Sequence, residues 1–236
     1  MLTIRFDRLG LSPGSRVLDV GCGGGRHTCE AYSLPGVLSV GADLSHKNAA
    51  ATRGLLAGME QEGRGHGSWQ VLCADAASLP FSDASFDAVV CSEVLEHVDH
   101  PPTVCAELAR VLRPGGVLAI SVPRYLPEKI CWMLSDAYRT DPGGHVRIFR
   151  KRELIDLVEA AGVRYTGRHY AHALHVPYWW LKCLVGVKND AHPLPAAWHR
   201  LLVWDIMKKP LATRAAETLL NPVMGKSLVC YFQKPA

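Results

Sequence analysis

Two groups of side chains in this sequence could do chemistry. The first is Glu93, Glu96 and His97, in the order Glu-Val-Leu-Glu-His-Val. Carboxylates and imidazole are ligands for a divalent cation. An imidazole also titrates near neutrality, so it can take a proton from a hydroxyl. On a helix, the i, i+3, i+4 spacing puts all three on one face, opposite Val94, Leu95 and Val98. The second group is Asp19 and the glycines after it, Asp19-Val20-Gly21-Cys22-Gly23-Gly24-Gly25. A turn without Cβ atoms lets a ligand approach the backbone closely. Asp43 follows at about the distance at which nucleotide-binding folds place an acid for two ribose hydroxyls.

Such groups need strands and helices to hold them. Val17, Leu18 and Val20 predict a short buried strand, and 26–34 a helix after the glycine turn. Further strands are expected at 37–44, 69–74, 86–91, 117–122 and 163–173, and a last one at 227–233. Helices are expected over 45–56, over 101–112 with proline in the first turn, and over 150–161 with Gly162 as the stop. Arg113-Pro114-Gly115-Gly116 reads as a tight turn. Residues 123–144 leave the strand pattern and bring Tyr125, Trp132 and Tyr138. Two domains follow: 1–176 with 222–236, and an inserted cap over 177–221 with short helices near 178–186 and 195–208. Trp179, Trp180, Trp198 and Trp204 suit a lid over an apolar acceptor, plain cap packing or a dimer contact, or an element lying on a membrane surface.

Composition narrows the function classes. The 236 residues, 48% hydrophobic and 20% charged, suit one α/β domain with a full core or one domain with a lid. The formal charge of +4 is scattered, which does not favour a nucleic-acid partner. Residues 1–8 carry charge and no apolar run, so no secretory leader is expected, and no segment approaches a membrane span. The eight cysteines include no C-x-x-C pair. Cys22, Cys73, Cys91 and Cys230, in or beside strands, read as buried thiols of a cytoplasmic protein. His169, His172 and His175, every third residue, cannot all face one way on a strand, which disfavours a second metal site.

A dinucleotide fingerprint needs glycine at position 26, which is Arg26. The acid before Gly21, Gly23 and Gly25 instead resembles the first motif of class I S-adenosylmethionine (SAM)-dependent methyltransferases. That resemblance covers about residues 10–165 and the last strand. It implies a doubly wound, Rossmann-like α/β sheet of seven strands with the last antiparallel. It also implies a SAM site of Asp19, Gly21, Cys22, Gly23 and Gly25, Asp43 and Leu44 at the ribose, Asp75 and Ala76 at the adenine, and Cys91 and Ser92 at the methionine part. The Glu-x-x-Glu-His pattern is similar to that of quinone-biosynthesis O-methyltransferases and small-RNA 2′-O-methyltransferases. There it holds a divalent metal such as Mg²⁺, which implies Glu93, Glu96, His97 and His145 as ligands here. The expected reaction is methyl transfer from SAM to a hydroxyl of a small or medium, partly apolar molecule, leaving S-adenosylhomocysteine, with His97 and His145 as catalytic residues. Metal-free C- or N-methylation and a non-catalytic SAM-binding or scaffold role are the other readings. Oligomeric state stays open.

Overall fold

The crossing order of the strands decides where a ligand can enter. A computed structural model describes residues 1–141, 143–189 and 191–236. Among these, seven strands form one sheet: β1 (Arg16–Val20), β2 (Leu38–Asp43), β3 (Ser68–Cys73), β4 (Phe86–Ser92), β5 (Leu112–Pro123), β6 (Arg164–Ala171) and β7 (Ser227–Gln233). Their order is β3-β2-β1-β4-β5-β7-β6. β1 to β5 run parallel, and β7 pairs antiparallel with both β5 and β6, as the resemblance implied. The order reverses between β1 and β4. Open sheets of this kind bind ligands at the carboxyl ends of the strands flanking such a reversal.

The central strands are apolar on both faces because helices cover both. Val89, Val90 and Cys91 of β4 are fully buried, and Leu118, Ala119 and Ile120 of β5 flank them. The covering helices include α1 (Arg26–Tyr32), α2 (His46–Gln61), α3 (Pro101–Val111), α4 (Tyr125–Leu134), α5 (Asp136–Arg139) and α6 (Lys151–Glu159). Leu108 of α3 and Leu154 and Val158 of α6 lie in the main core. Leu56 of α2 is fully buried.

Several expectations are corrected. Residues 93–98 form no helix: Glu93 has φ +57°, a left-handed conformation, and His97 N bonds Val94 O in a single turn. The eight residues between β4 and the proline start of α3 are spent on that turn and the approach to α3. The stretch 113–116 lies inside β5, where the pairing with β4 shifts register, with Gly115 at φ +74°. Cys73 is exposed, because it ends the edge strand β3. Among the described residues, three helices, not two, stand between β6 and β7: α7 (His175–Val185), α8 (Pro193–Lys208) and α9 (Leu211–Met224).

Candidate active site

The glycine turn leaves β1 and opens α1. Gly21 N and Cys22 N both donate to Ala42 O at the tip of β2 (2.8 and 3.0 Å), and Thr52 Oγ1 of α2 donates to Gly23 O (2.8 Å). Gly21, Gly23 and Gly25 have φ of +68°, +53° and +76°, where a Cβ is strained. The turn is therefore fixed before any ligand arrives. Around Gly24 a Cβ would meet nothing within 4 Å, and around Gly23 only a carbonyl oxygen at 4.0 Å. Space for a ligand exists there.

Asp19 was expected to touch the cofactor. It lies instead beneath the turn, 2% exposed, and its Oδ2 accepts from Thr28 N (3.0 Å) and Thr28 Oγ1 (2.7 Å) of α1. It fastens the strand to the helix. Burial outweighs those bonds and lifts its carboxyl to about 6. The unfolded chain releases this proton near 3.8, whereas the native chain holds it to about 6, so stability falls as pH rises through that window. Replacing Asp19 with Asn removes the effect. The unfolding free energy of Asp19→Asn relative to wild type is expected to rise by up to about 3 kcal/mol between pH 4 and pH 6 and then level off. Denaturant titrations across that range would show it, and a flat difference would refute it.

Asp43, 8% exposed, accepts from Gly23 N (2.8 Å) on one oxygen and from Ser45 N (2.8 Å) and Asn48 Nδ2 (3.2 Å) on the other. It thus ties the end of β2 to both the turn and the start of α2. Leu44 beside it is 72% exposed, and Asp75 is exposed beyond β3, with Ala76 half-buried against the core. Burial pushes the Cys22 thiol up to about 12, so it is neutral at ordinary pH. Cys91 is wholly buried, and burial raises its thiol too. Ser92 Oγ lies 2.8 Å from Ser121 Oγ, which donates to Glu93 Oε1 at 2.8 Å.

The turn after β4 is held by a segment fifty residues on. Arg147 donates to the carbonyls of Leu95, Val98 and Asp99, and Val146 N donates to Glu96 O (3.0 Å). This pairing sets the His145 ring 5.0 Å from that of His97. Glu96, His97 and His145 present ligand atoms within 4.8 Å of one another. Glu93 stands outside that group, and its carboxylate accepts a hydrogen bond from the Ser121 hydroxyl instead. The expected set of four becomes three, because the helix that would have aligned Glu93 with Glu96 is absent.

The three residues differ in what surrounds them. Glu96 is fully buried, and neither carboxylate oxygen has a hydrogen-bond partner. Burial first, then the Glu93 charge, hold its carboxyl well above the usual range. His97 is pushed below the ordinary imidazole value by burial and then by His145, which leaves a ring nitrogen lone pair free at neutral pH. Its Nδ1 bonds Gly144 O at 3.1 Å, so that nitrogen carries the proton and Nε2 the lone pair. His145 Nδ1 lies 2.6 Å from Glu128 Oε1. Burial alone would raise the Glu128 carboxyl, but the His145 ring and Lys226 outweigh it and hold it low. A carboxylate behind an imidazole fixes the tautomer and orients the ring toward whatever Nε2 meets. Glu128, on α4, and Arg147, which hold this arrangement in place, are residues that sequence reasoning missed. Their signal is weak, since one lies in a stretch without a recognisable pattern and the other in a run of basic residues.

Two cavities border this region, one at His145 and the other at Glu93. The larger, about 830 Å³, is lined by Tyr138, Gly144, His145, Trp179, Val187 and Lys226. The smaller, about 180 Å³, runs from Arg26, next to the glycine turn, past Glu93, His172 and His175 to the same Trp179 and Lys226. The Trp179 ring lies 5.7 Å from that of Tyr138, tilted 57° to it, and Lys226 Nζ lies 5.7 Å from the Trp179 ring centre. A ligand on the turn and a second molecule in the aromatic cavity would therefore meet beside Glu93.

The family profile described as a methyltransferase domain matches residues 18–120. The chain is similar to a ubiquinone biosynthesis O-methyltransferase of Aeromonas salmonicida, 31% identical over 70% of this chain and 71% of that protein. It is also similar to a 24-methylenesterol C-methyltransferase of Oryza sativa subsp. japonica, 33% identical over 59% of this chain and 35% of that one. Among solved structures, the (4+2)-cyclase SpnF aligns with a TM-score of 0.64 over 98% of this chain and 78% of that one, at 21% identity. That likeness concerns the fold alone. The chain spans 35% to 42% of the length of the first three curated relatives it matches.

Proposed function

Because the chain belongs to the class I SAM-dependent methyltransferase superfamily, we propose that it moves a methyl group from SAM to a hydroxyl oxygen of a small or medium, partly apolar acceptor. The observation that carries the hydroxyl reading is the fully buried, partnerless Glu96 carboxyl grouped with His97 and with His145, whose ring lines an aromatic cavity. Relatives of both O- and C-methylating names leave the acceptor atom to the site.

SAM fits the open space over the glycine turn. Gly21, Cys22, Gly23 and Gly25 form the bed, and Asp19 keeps it rigid from below. Asp43 keeps one lone pair, on Oδ2, for a ribose hydroxyl, with Leu44 beside it, and Ala76 offers apolar surface for the adenine, with Asp75 for its amino group. Cys91 and Ser92 flank the methionine part at the end of β4. When bound, SAM would supply an activated methyl group, its C–S bond breaking as the acceptor oxygen bonds the methyl carbon in line and S-adenosylhomocysteine leaves. The protein's share is to orient the two partners and exclude water.

A divalent cation such as Mg²⁺ fits the second group, since a buried carboxyl without a hydrogen-bond partner and two imidazoles offer it ligand atoms within 4.8 Å of one another. Glu96, His97 and His145 would hold it, and it would lower the pKa of an acceptor hydroxyl. Glu128 orients His145, while Tyr138 and Trp179 wall the acceptor. In a metal-free reaction, His97 or His145 would itself take the proton.

The test is turnover of labelled SAM against fractionated small-molecule extract, with and without chelator. Chelation is expected to abolish transfer and added Mg²⁺, Mn²⁺ or Zn²⁺ to restore it. Glu128→Gln is expected to raise the cation concentration needed by about 10- to 100-fold. Full turnover in chelator, by a protein without bound metal, would leave the histidine-base reading. A protein that binds no SAM would overturn methyl transfer altogether.

A further inference from the structure

The helices between β6 and β7 present a surface that the proposed reaction does not use. On α8, Pro195, Leu202 and Asp205 face inward and are buried. The opposite side carries Leu201, Val203, Trp204 and Met207, all exposed, with Met207 at 74%. On α9, Glu217 is the inward residue, and Leu211 (87%), Leu219 and Val223 are exposed. Of the 18 large apolar side chains exposed among the described residues, 10 fall within 194–223. Single exposed apolar residues are ordinary, but this concentration marks a surface that seats on something.

The charges say what that is. Asp205 and Glu217 are the two acids in 191–224. Both are buried and engaged, Asp205 with Arg214 (2.5 Å) and Thr213, and Glu217 with Leu174 N (3.1 Å). Arg200, Lys208 and Lys209 are exposed. The outer face is thus apolar and cationic, with no exposed acid among residues 191–224. We propose that the outer face of α8 and α9 seats on an anionic lipid bilayer, with the apolar side chains entering the interface and Arg200 and Lys208 at the headgroup phosphates. A second copy is a poor occupant, because a two-fold contact would set cation against cation. No described helix is long and apolar enough to cross a membrane, so the pair lies in the surface plane. The inference does not rest on methyl transfer.

The full chain, floated with vesicles of equal parts phosphatidylglycerol and phosphatidylcholine, is expected to be recovered at least about tenfold over pure phosphatidylcholine vesicles, and high salt should release it. Met207→Glu with Leu211→Glu should abolish flotation without shifting the thermal midpoint. Arg200→Gln and Lys208→Gln should each weaken binding roughly fivefold. This pair keeps the inference open to refutation if the glutamate variant misfolds. Equal recovery on both vesicles would overturn it, and so would variants that float like wild type. A wild-type dimer that the glutamate pair dissociates, with no flotation by either, would assign the face to a second copy.

Discussion

Gly21→Ala is expected to weaken SAM binding by more than about 100-fold, from local overpacking and strain rather than loss of a ligand contact. A Cβ at position 21 would lie 2.3 Å from Val94 Cγ2, well inside contact distance, on a backbone at φ +68°. The strain costs about 1–2 kcal/mol and the overpacking about 1–3 kcal/mol. Neither partner can yield easily. Gly21 N is bonded to Ala42 O, and Val94 begins the turn that Arg147 holds. Whichever moves, the cofactor bed or the Glu96 group is displaced. Calorimetric titration of SAM with a thermal melt would read the loss. Shortening the obstacle separates the causes: Val94→Ala added to Gly21→Ala is expected to recover most of the affinity, leaving only the strain, a factor of roughly 5 to 30. Wild-type affinity in the single variant would mean that SAM does not rest on this turn.

That contact shows what the sequence could and could not give. The strand, glycine turn and helix at 16–32 were legible because each step is local: an apolar run, residues able to take positive φ, then a helix start. The parallel strands ending at Asp43 and Ser92 were legible for the same reason, but their order in the sheet comes from the structure. The meeting of Gly21 with Val94 was not, since nothing in a sequence measures a distance across seventy residues. The turn at 93–98 misled because apolar residues at 94, 95 and 98 satisfy a helical period, while the deciding feature, the left-handed Glu93, has no signature in residue type. His145 could be named from a resemblance. Glu128 behind it and Arg147 beside it could not, because their tasks exist only once α4 and the 144–147 segment fold against the β4 turn. The outer face of α8 was half legible: its tryptophans stood out, but which of them face inward was settled by packing, with Trp198 Nε1 bonded to Leu174 O and Trp204 outside.

Glu96→Met is expected to make the metal-free protein more stable and at the same time inactive. The substitution keeps an unbranched side chain of similar length and removes both carboxylate oxygens, which are buried without partners. A buried polar group left unsatisfied costs about 1–3 kcal/mol, and a charge costs more. In a chain of this size each kcal/mol moves the melting midpoint by about 2–4 °C, so a rise of roughly 3–10 °C is expected in chelator. The same residue is asked to hold a cation, so methyl transfer should fall by at least about 100-fold. The rise in melting temperature that Mg²⁺ or Mn²⁺ gives wild type should vanish. The opposite signs decide the matter. A group kept for the fold destabilises when removed, whereas a group kept for a ligand is a burden until the ligand arrives. If Glu96→Met melts several degrees lower than wild type in chelator, the carboxylate serves the fold. His97 and His145 would then be left without a third ligand, and the proton of the acceptor would have to go to an imidazole.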